Sequence, residues 1–297
     1  MTQSITNQIQ NMDLSIILPC LNESASLKTL IPRLKQTYPK AEVIIVNDGS
    51  SDDSANIATQ AGAKVISHPY SKGNGAAIKT GARTASGDIL IFMDADGQHD
   101  PQDIEKLLAK LARGHDMVVG ARSANSQASF GRWCANSFYN KLSSWMVGHS
   151  VSDLTSGFRA VKADKFREFL YLLPNGFSYP TTITMAFFRA GYNVSYIPIV
   201  AHTRLGKSHI KLVRDGVRFL LIIFKIGTLY APLKLFGAFS LSFFMLGLSY
   251  YIYTFTTAGR FTNMGALLFI TSILIFLIGL VSEQITQLLY SSSRKEP

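Results

Sequence analysis

Asp94 and Asp96 stand one residue apart, with Gln98 two positions further on, directly after the apolar run Ile89 to Met93. Two carboxylates at i and i+2 plus an amide oxygen are hard donors. Mg2+ and Mn2+ favour such donors, usually engaging one or two protein carboxylates while substrate phosphates complete the shell. The apolar run reads as a buried strand, and open α/β sheets bind ligands at the carboxyl ends of their strands. The predicted chemistry is a divalent-metal site for a nucleoside diphosphate. A bare D-x-D is more often a simple acidic turn, so the surrounding chain decides.

Those carboxylates need a scaffold. Leu14 to Leu18 reads as a short strand stopped by Pro19, and the polar stretch Asn22 to Ser26 caps a helix reaching about Gln36. Val43 to Val46 is a second strand, followed by Asn47-Asp48-Gly49-Ser50-Ser51, a helix and a short strand at Val65 to Ser67. Tyr70 to Gly75 is a basic, glycine-rich loop before a small-residue helix with Ala76, Ala77, Ile78, Ala82 and Ala85. Pro101 opens a helix through Ile104 to Leu111, and a strand follows at Met117 to Val119. This alternation predicts an α/β fold, a parallel sheet with helices on both faces. No GxGxxG follows the first strand and no GxxxxGK[ST] occurs, which excludes the dinucleotide and P-loop versions. The loops after the strands are instead acidic, at Glu23, Asp48, Asp94 and Asp96, and repel phosphate unless a metal lies between. Asp48 either accepts a base N–H as an exposed carboxylate or closes an Asx-turn. Lys72, with Gly73 and Gly75, either cradles a phosphate or belongs to an ordinary surface loop.

The chain has 297 residues, 29 Lys plus Arg against 19 Asp plus Glu, and a net charge of +10. Such a balance suits nucleic acid, anionic membrane or phosphorylated substrates. Cys20 and Cys134 are far apart with no CxxC, which argues against a disulfide framework or a zinc site. The first thirteen residues have no basic or apolar signal region, so no cleavable signal peptide is expected and the bulk of the chain is expected in the cytoplasm.

SIILPCLNE, VIIVNDGSSDDS and KGNGAAIKTGARTASGDILIFMDADGQHDP, in this order and spacing, resemble the motifs of family 2 glycosyltransferases of the GT-A fold. The resemblance is greatest to the dolichyl/polyprenyl-phosphate sugar transferases, the dolichol-phosphate mannose synthase branch, and runs from about Ser15 to Lys207. It implies that Pro19, Glu23 and Asp48 hold the nucleotide and that Asp94, Asp96 and Gln98 hold the metal. It also implies that Arg122, Arg132, Arg204 and Lys207 face the acceptor or the diphosphate, where a guanidinium fork suits phosphate. Asp153 begins a comparable D-x-T-x-G-F-R segment. Two departures stand out. The family's basic R-x-x-G-x-S-K is here Arg204-Leu205-Gly206-Lys207-Ser208-His209, and the helix after Phe177 has Pro180-Thr181-Thr182 where a glutamate is usual.

Past residue 207 the composition turns apolar. Lys211, Arg214, Arg218 and Lys225 share one face of an amphipathic helix over 208–230, as expected for a segment lying in the membrane interface. Leu235 to Gly259 and Phe261 to Ser282 carry no charge except for Arg260 between them. At 1.5 Å per residue these stretches span about 37 and 33 Å, against a hydrocarbon core of about 30 Å. A transmembrane hairpin over 231–290 follows, with Tyr250, Tyr251 and Tyr253 at the far interface. The flanking Lys225, Lys234, Arg294 and Lys295 put the 1–207 domain and the 291–297 tail in the cytoplasm. Gly237, Ala238, Gly247 and Gly279 suit helix packing, including in a homo-oligomer.

The expectation is therefore a membrane-bound enzyme using Mg2+ or Mn2+. It moves a sugar from a UDP- or GDP-sugar to a polyprenyl phosphate, undecaprenyl or dolichyl, with the inversion at C1 that the resemblance implies. Membrane and phosphate account for the charge better than nucleic acid does. A processive polysaccharide synthase is the nearest rival, but Ser129 stands where its Q-x-x-R-W glutamine would be. A silent membrane scaffold is the rival from another class.

Overall fold

The computed structural model describes residues 12–122, 130–176, 178–200, 224–225 and 227–292, without the side chains of 130–136 and 290–292. Of the expected interfacial helix over 208–230, all but residues 224–225 and 227–230 lies outside the described residues. The chain divides into two compact units, Met1–Ser144 with His149–Ile210, and Trp145–Gly148 with Lys211–Pro297.

In the first unit, β1 (Leu14–Cys20), β2 (Glu42–Asn47), β3 (Lys64–Ser67), β4 (Ile89–Phe92), β5 (Met117–Arg122), β6 (Arg159–Lys162) and β7 (Val194–Ile199) form one sheet. Its order is β3-β2-β1-β4-β6-β5-β7. The first four strands in that order are parallel, as the alternating pattern requires. β6 corrects the expectation of a wholly parallel sheet, because it runs antiparallel to both β4 and β5. Arg-Ala-Val-Lys has no apolar run to announce a strand. It becomes one because Ala160 pairs with Ile91 on one edge and Val118 on the other.

β1 also continues past its expected stop, with Pro19 in register with Val46. The β1–β4 pairing ends at Ile17 and Phe92, and the Ile17 carbonyl accepts from the Met93 amide at 3.2 Å. Two residues on, the missing Pro19 N–H faces the same side, beyond the last β4 partner, so proline costs the sheet no hydrogen bond.

The helices are α1 (Ser24–Thr37), α2 (Ser54–Gln60), α3 (Asn74–Thr84), α4 (Asp103–Leu111), α5 (Phe130–Val147), α6 (Ala163–Arg167) and α7 (Tyr179–Arg189). α1 buries Leu27, Leu30, Ile31 and Leu34, and α4 buries Ile104, Leu107, Leu108 and Leu111, each set at i, i+3, i+4 and i+7. Both stripes join Ile16, Leu18 and Ile91 in one core. α4 starts two residues after Pro101, which lies in the preceding turn. α3 uses small residues because it crosses the sheet closely. A Cβ on Gly81 would collide with Cγ2 of Ile17. The expected self-capping of α1 is replaced by capping across space. Ser50 Oγ, Ser54 Oγ and Asp52 Oδ2 accept from the amides of Asn22, Glu23 and Ser24 at 3.0, 3.0 and 3.1 Å. The loops after β1 and β2 are thereby joined.

The second unit contains α8 (Pro232–Ala258) and α9 (Asn263–Ser292). Both helices are long and apolar enough to cross a membrane. They contact each other through small residues. Ser240 and Ser272 each donate to the other's carbonyl at 2.9 Å. A Cβ on Gly247 would meet Leu268 Cβ at 3.2 Å, and one on Gly279 would meet Phe236 Cβ at 2.8 Å. Gly247 and Gly279 therefore serve packing inside the hairpin, whereas a Cβ on Gly237 would meet no atom of the described residues within 4 Å.

At the amino end of the sheet, Glu42 accepts from Lys64 Nζ at 2.6 Å, Ser15 Oγ at 2.7 Å and the Ser86 amide at 2.9 Å. Partial burial pushes its pKa up, but these donors outweigh burial and bring it down to about 2. A depressed carboxyl stabilises the fold above its unfolded pKa and loses that contribution as pH falls through the folded value. Glu42→Gln should therefore destabilise the first unit by about 1–3 kcal/mol near neutrality. Thermal melts at stepwise lower pH should show the difference shrinking below pH 4.5 and vanishing near pH 2. A constant difference across that window would remove the charge from the account.

Candidate active site

β1 leads to β2 on one side and β4 is its neighbour on the other, so the sheet's connections diverge between β1 and β4. Open α/β sheets form their ligand crevice at such a switch point. A cavity of about 430 Å³ lies there, lined by Pro19, Cys20, Leu21 and Glu23 after β1, Asp48 after β2, Ser71, Gly73 and Asn74 before α3, and Asp94 and Asp96 after β4. That volume suits a small-molecule site. A larger hollow of about 780 Å³ lies elsewhere, between the end of α1, α4 and Pro198–Val200.

Five of the residues expected from sequence therefore meet at one cavity: Pro19, Glu23, Asp48, Asp94 and Asp96. Asp94 and Asp96 flank the buried Ala95, and the Asp94 side chain is 39% exposed. Asp96 Oδ1 accepts from the Gln98 amide at 3.1 Å. Among the described residues, no three His, Cys, Asp or Glu side chains converge as a metal cage. The residues fit a divalent ion in a different way. Two carboxylates lining the cavity leave the remaining positions to substrate oxygens, whereas Gln98, expected as a third ligand, is not among the lining residues and meets Asp96 through its backbone N–H.

Asp48 corrects the expectation of an exposed acceptor, for it is 4% exposed. Its Oδ1 accepts from His68 Nδ1 at 2.7 Å and the Lys72 amide at 2.9 Å, and its Oδ2 from Ser71 Oγ and the Gly73 amide, each at 2.8 Å. The expected phosphate cradle is corrected by the same bonds. The Lys72 and Gly73 amides serve Asp48, while the Gly75 and Ala76 amides serve the carbonyls of Gly176 and Asn175 at 3.2 and 2.8 Å. The amides are spent on the fold, and the Lys72 ammonium lies 5.7 Å above the Tyr70 ring.

Arg122 is likewise engaged. Its Nε and Nη2 donate to Asp153 at 2.9 and 3.1 Å, and Nη2 donates to Thr155 Oγ1 at 2.6 Å. Burial opposes both charges, but the pair more than offsets it, holding Arg122 above and Asp153 below their ordinary values. An anion reaching Arg122 meets its Nη1 edge, not the bidentate fork expected from sequence. The Arg132 side chain, Arg204 and Lys207 lie outside the described residues.

Sequence reasoning missed three groups beside the carboxylates. His99, 6% exposed and stacked on Phe158, brings Nε2 to 3.6 Å from Asp94 Oδ2. Gly157 faces Asp94 so closely that a Cβ there would stand 3.1 Å from Oδ2 and 3.2 Å from Oδ1. Arg159, fully buried, donates to the carbonyls of Ser156 and Pro180 and lies over the Tyr179 ring, fixing the turn that carries Gly157. The only sequence signal was the S-G-F-R run itself. Gly157→Val should displace the Asp94 carboxylate and weaken Mn2+ binding roughly 10-fold or more. Titration of free Mn2+ by electron paramagnetic resonance checks this, and unchanged affinity would remove Asp94 from the ion.

Residues 15–170 match glycosyl transferase family 2, and residues 231–288 match the GtrB C-terminal hairpin. The chain is 35% identical over 158 residues to the undecaprenyl-phosphate 4-deoxy-4-formamido-L-arabinose transferase of Photorhabdus laumondii, covering 50% of this chain and 48% of that one. It is 32% identical over 162 residues to an uncharacterized protein of Methanocaldococcus jannaschii, covering 52% of this chain and 66% of that one. The chain thus spans about half the length of curated relatives such as the first. Its fold is that of glucosyl-3-phosphoglycerate synthase from Mycobacterium tuberculosis. The complex of that enzyme with phosphoglyceric acid superposes with TM-score 0.61 at 18% identity, over 76% of this chain and 84% of that one. Its complex with Mn2+ and UDP-glucose gives 0.59 at 20% identity, over 75% and 83%. With the hairpin match and two helices able to span a bilayer, this is a membrane protein. The family match covers more than half of the chain, from the first strand past the paired carboxylates and the S-G-F-R turn, and the chain belongs to glycosyl transferase family 2.

Proposed function

We propose that the protein transfers a sugar from a nucleoside-diphosphate sugar, UDP- or GDP-linked, to a polyprenyl phosphate, with inversion at C1. The observation that carries this reading is the cavity at the β1/β4 switch point, where Asp94 and Asp96 meet Pro19, Glu23 and Asp48. The hairpin match and the name of the Photorhabdus relative support a lipid phosphate as acceptor.

In this reading Asp94 and Asp96, with Gln98, hold Mg2+ or Mn2+. The chemistry such an ion supplies is charge neutralisation on the departing diphosphate. The acceptor is a phosphate monoester with a second pKa near about 6, largely dianionic at neutral pH. Its oxygen attacks the sugar C1 while the bond from C1 to the diphosphate oxygen breaks, and the nucleoside diphosphate leaves with the electron pair. No protein base is needed. Pro19 and Glu23 line the nucleotide end. Asp48 acts through the loop it organises. The Lys72 ammonium, the Nη1 edge of Arg122, and Arg132, Arg204 and Lys207 supply positive charge for the two anions. The catalytic unit and both termini lie on the cytoplasmic side.

The full-length protein in detergent, given Mn2+, undecaprenyl phosphate and a panel of UDP- and GDP-sugars, should release nucleoside diphosphate from one preferred donor only when the lipid is present. Asp96→Ala should lower that rate by more than about 100-fold. Lipid-independent release, or release driven equally by a sugar hydroxyl acceptor, would overturn the reading in favour of hydrolysis or a polysaccharide synthase.

A further inference from the structure

His68 is buried, 8% exposed, immediately after β3, and no step above uses it. Its amide donates to the Asn47 carbonyl at 2.8 Å. Its ring spans two other elements, with Nδ1 2.7 Å from Asp48 Oδ1 and Nε2 2.9 Å from Thr80 Oγ1 on α3. Burial pushes the Asp48 carboxyl up, but His68, the two loop amides and Ser71 together hold it below the usual range. An ionised carboxylate only accepts, so His68 Nδ1 must carry the hydrogen. In the neutral ring Nε2 then accepts from the Thr80 hydroxyl. The imidazole is thus a strut between the ends of β2 and β3 and the body of α3.

The strut bears on the cavity through the arch of residues 70–74. Asp48 gathers Ser71, Lys72 and Gly73 of that arch, and Ser71, Gly73 and Asn74 line the cavity. The backbone is already committed to this shape. Gly73 has φ +103°, and Gly49, at φ +77°, presses so close that a Cβ would lie 2.8 Å from the Ser71 nitrogen. One Asp48 oxygen depends on the imidazole for its shortest bond.

We propose that His68 is a positioning residue for the nucleotide donor: by donating to Asp48 and accepting from Thr80 it fixes the 70–74 arch in the form that receives the donor. This rests on the glycosyltransferase reading above. It separates two groups otherwise alike in size, because an asparagine amide reaches the Nδ1 position and a glutamine amide reaches the Nε2 position.

The test measures UDP and GDP binding in the presence of Mn2+ by calorimetry, with KM, kcat and thermal melts alongside, on the full-length protein in detergent. His68→Asn keeps the bond to Asp48 but loses the one to Thr80, and should lose affinity and raise KM by only about 3-fold. His68→Gln should lose affinity and raise KM by about 10-fold or more with kcat within about 2-fold, at a similar melting temperature. Equal behaviour of the two variants, or a loss confined to kcat, would overturn the proposal. Should His68→Gln not fold, Thr80→Val carries the test through the other end of the strut. A loss of affinity of about 3-fold supports the proposal and an unchanged affinity overturns it. Wild-type protein that binds neither nucleotide would sink the glycosyltransferase reading and this proposal together, whereas wild-type binding with indifferent variants sinks this proposal alone.

Discussion

A carboxylate taken out of water has to be surrounded by donors, because an unpaired buried charge is too costly to keep. Two such carboxylates, Asp48 and Asp153, organise the loops around the paired Asp94 and Asp96. Asp48 draws in a histidine ring, a hydroxyl and two amides, and so fixes the loop before α3. Asp153 takes Nε and Nη2 of Arg122 and the amides of Thr155 and Ser156, and so fixes the turn that leads to Gly157. Each of these groups is fully committed to the fold. That leaves the more exposed Asp94 and Asp96 facing the cavity.

The same logic explains why the glycine-rich loop is no phosphate cradle of the P-loop kind. Its amides point inward to Asp48 or back to the carbonyls of residues 175 and 176. Two helix-terminal donors that would attract an anion are neutralised from within the chain. In the proposed reading, positive charge for the phosphates comes from side chains and a divalent ion.

In the second unit the constraint differs, since lipid offers no hydrogen bonds and little hydrophobic drive between helices. The hairpin is held by close backbone approach at Gly247 and Gly279 and by the reciprocal Ser240–Ser272 bonds. Small residues there do what a leucine core does in the sheet unit.

The sequence by itself determined every element that announces itself locally. Apolar runs gave β1, β2 and β4, helical spacing of leucines and isoleucines gave α1 and α4, and long uncharged stretches gave the two hairpin helices. The ordered motifs also placed Asp94 and Asp96 at a strand's carboxyl end, where the cavity is found. What depends on partners distant in the chain was legible only in the tertiary structure. β6 is a strand because of its neighbours on both edges, not its residues. Asp48 and Arg122 read as open charges, because a sequence shows a charge but not the donors or acceptors that already engage it. His68 carried no signal, and Gly157 and Arg159 only that of the S-G-F-R run, since their roles are distances: 2.7 Å from the His68 ring to Asp48, and 3.1 Å between a missing methyl and Asp94. Periodicity is written along the chain, whereas the satisfaction of buried charge is settled across it.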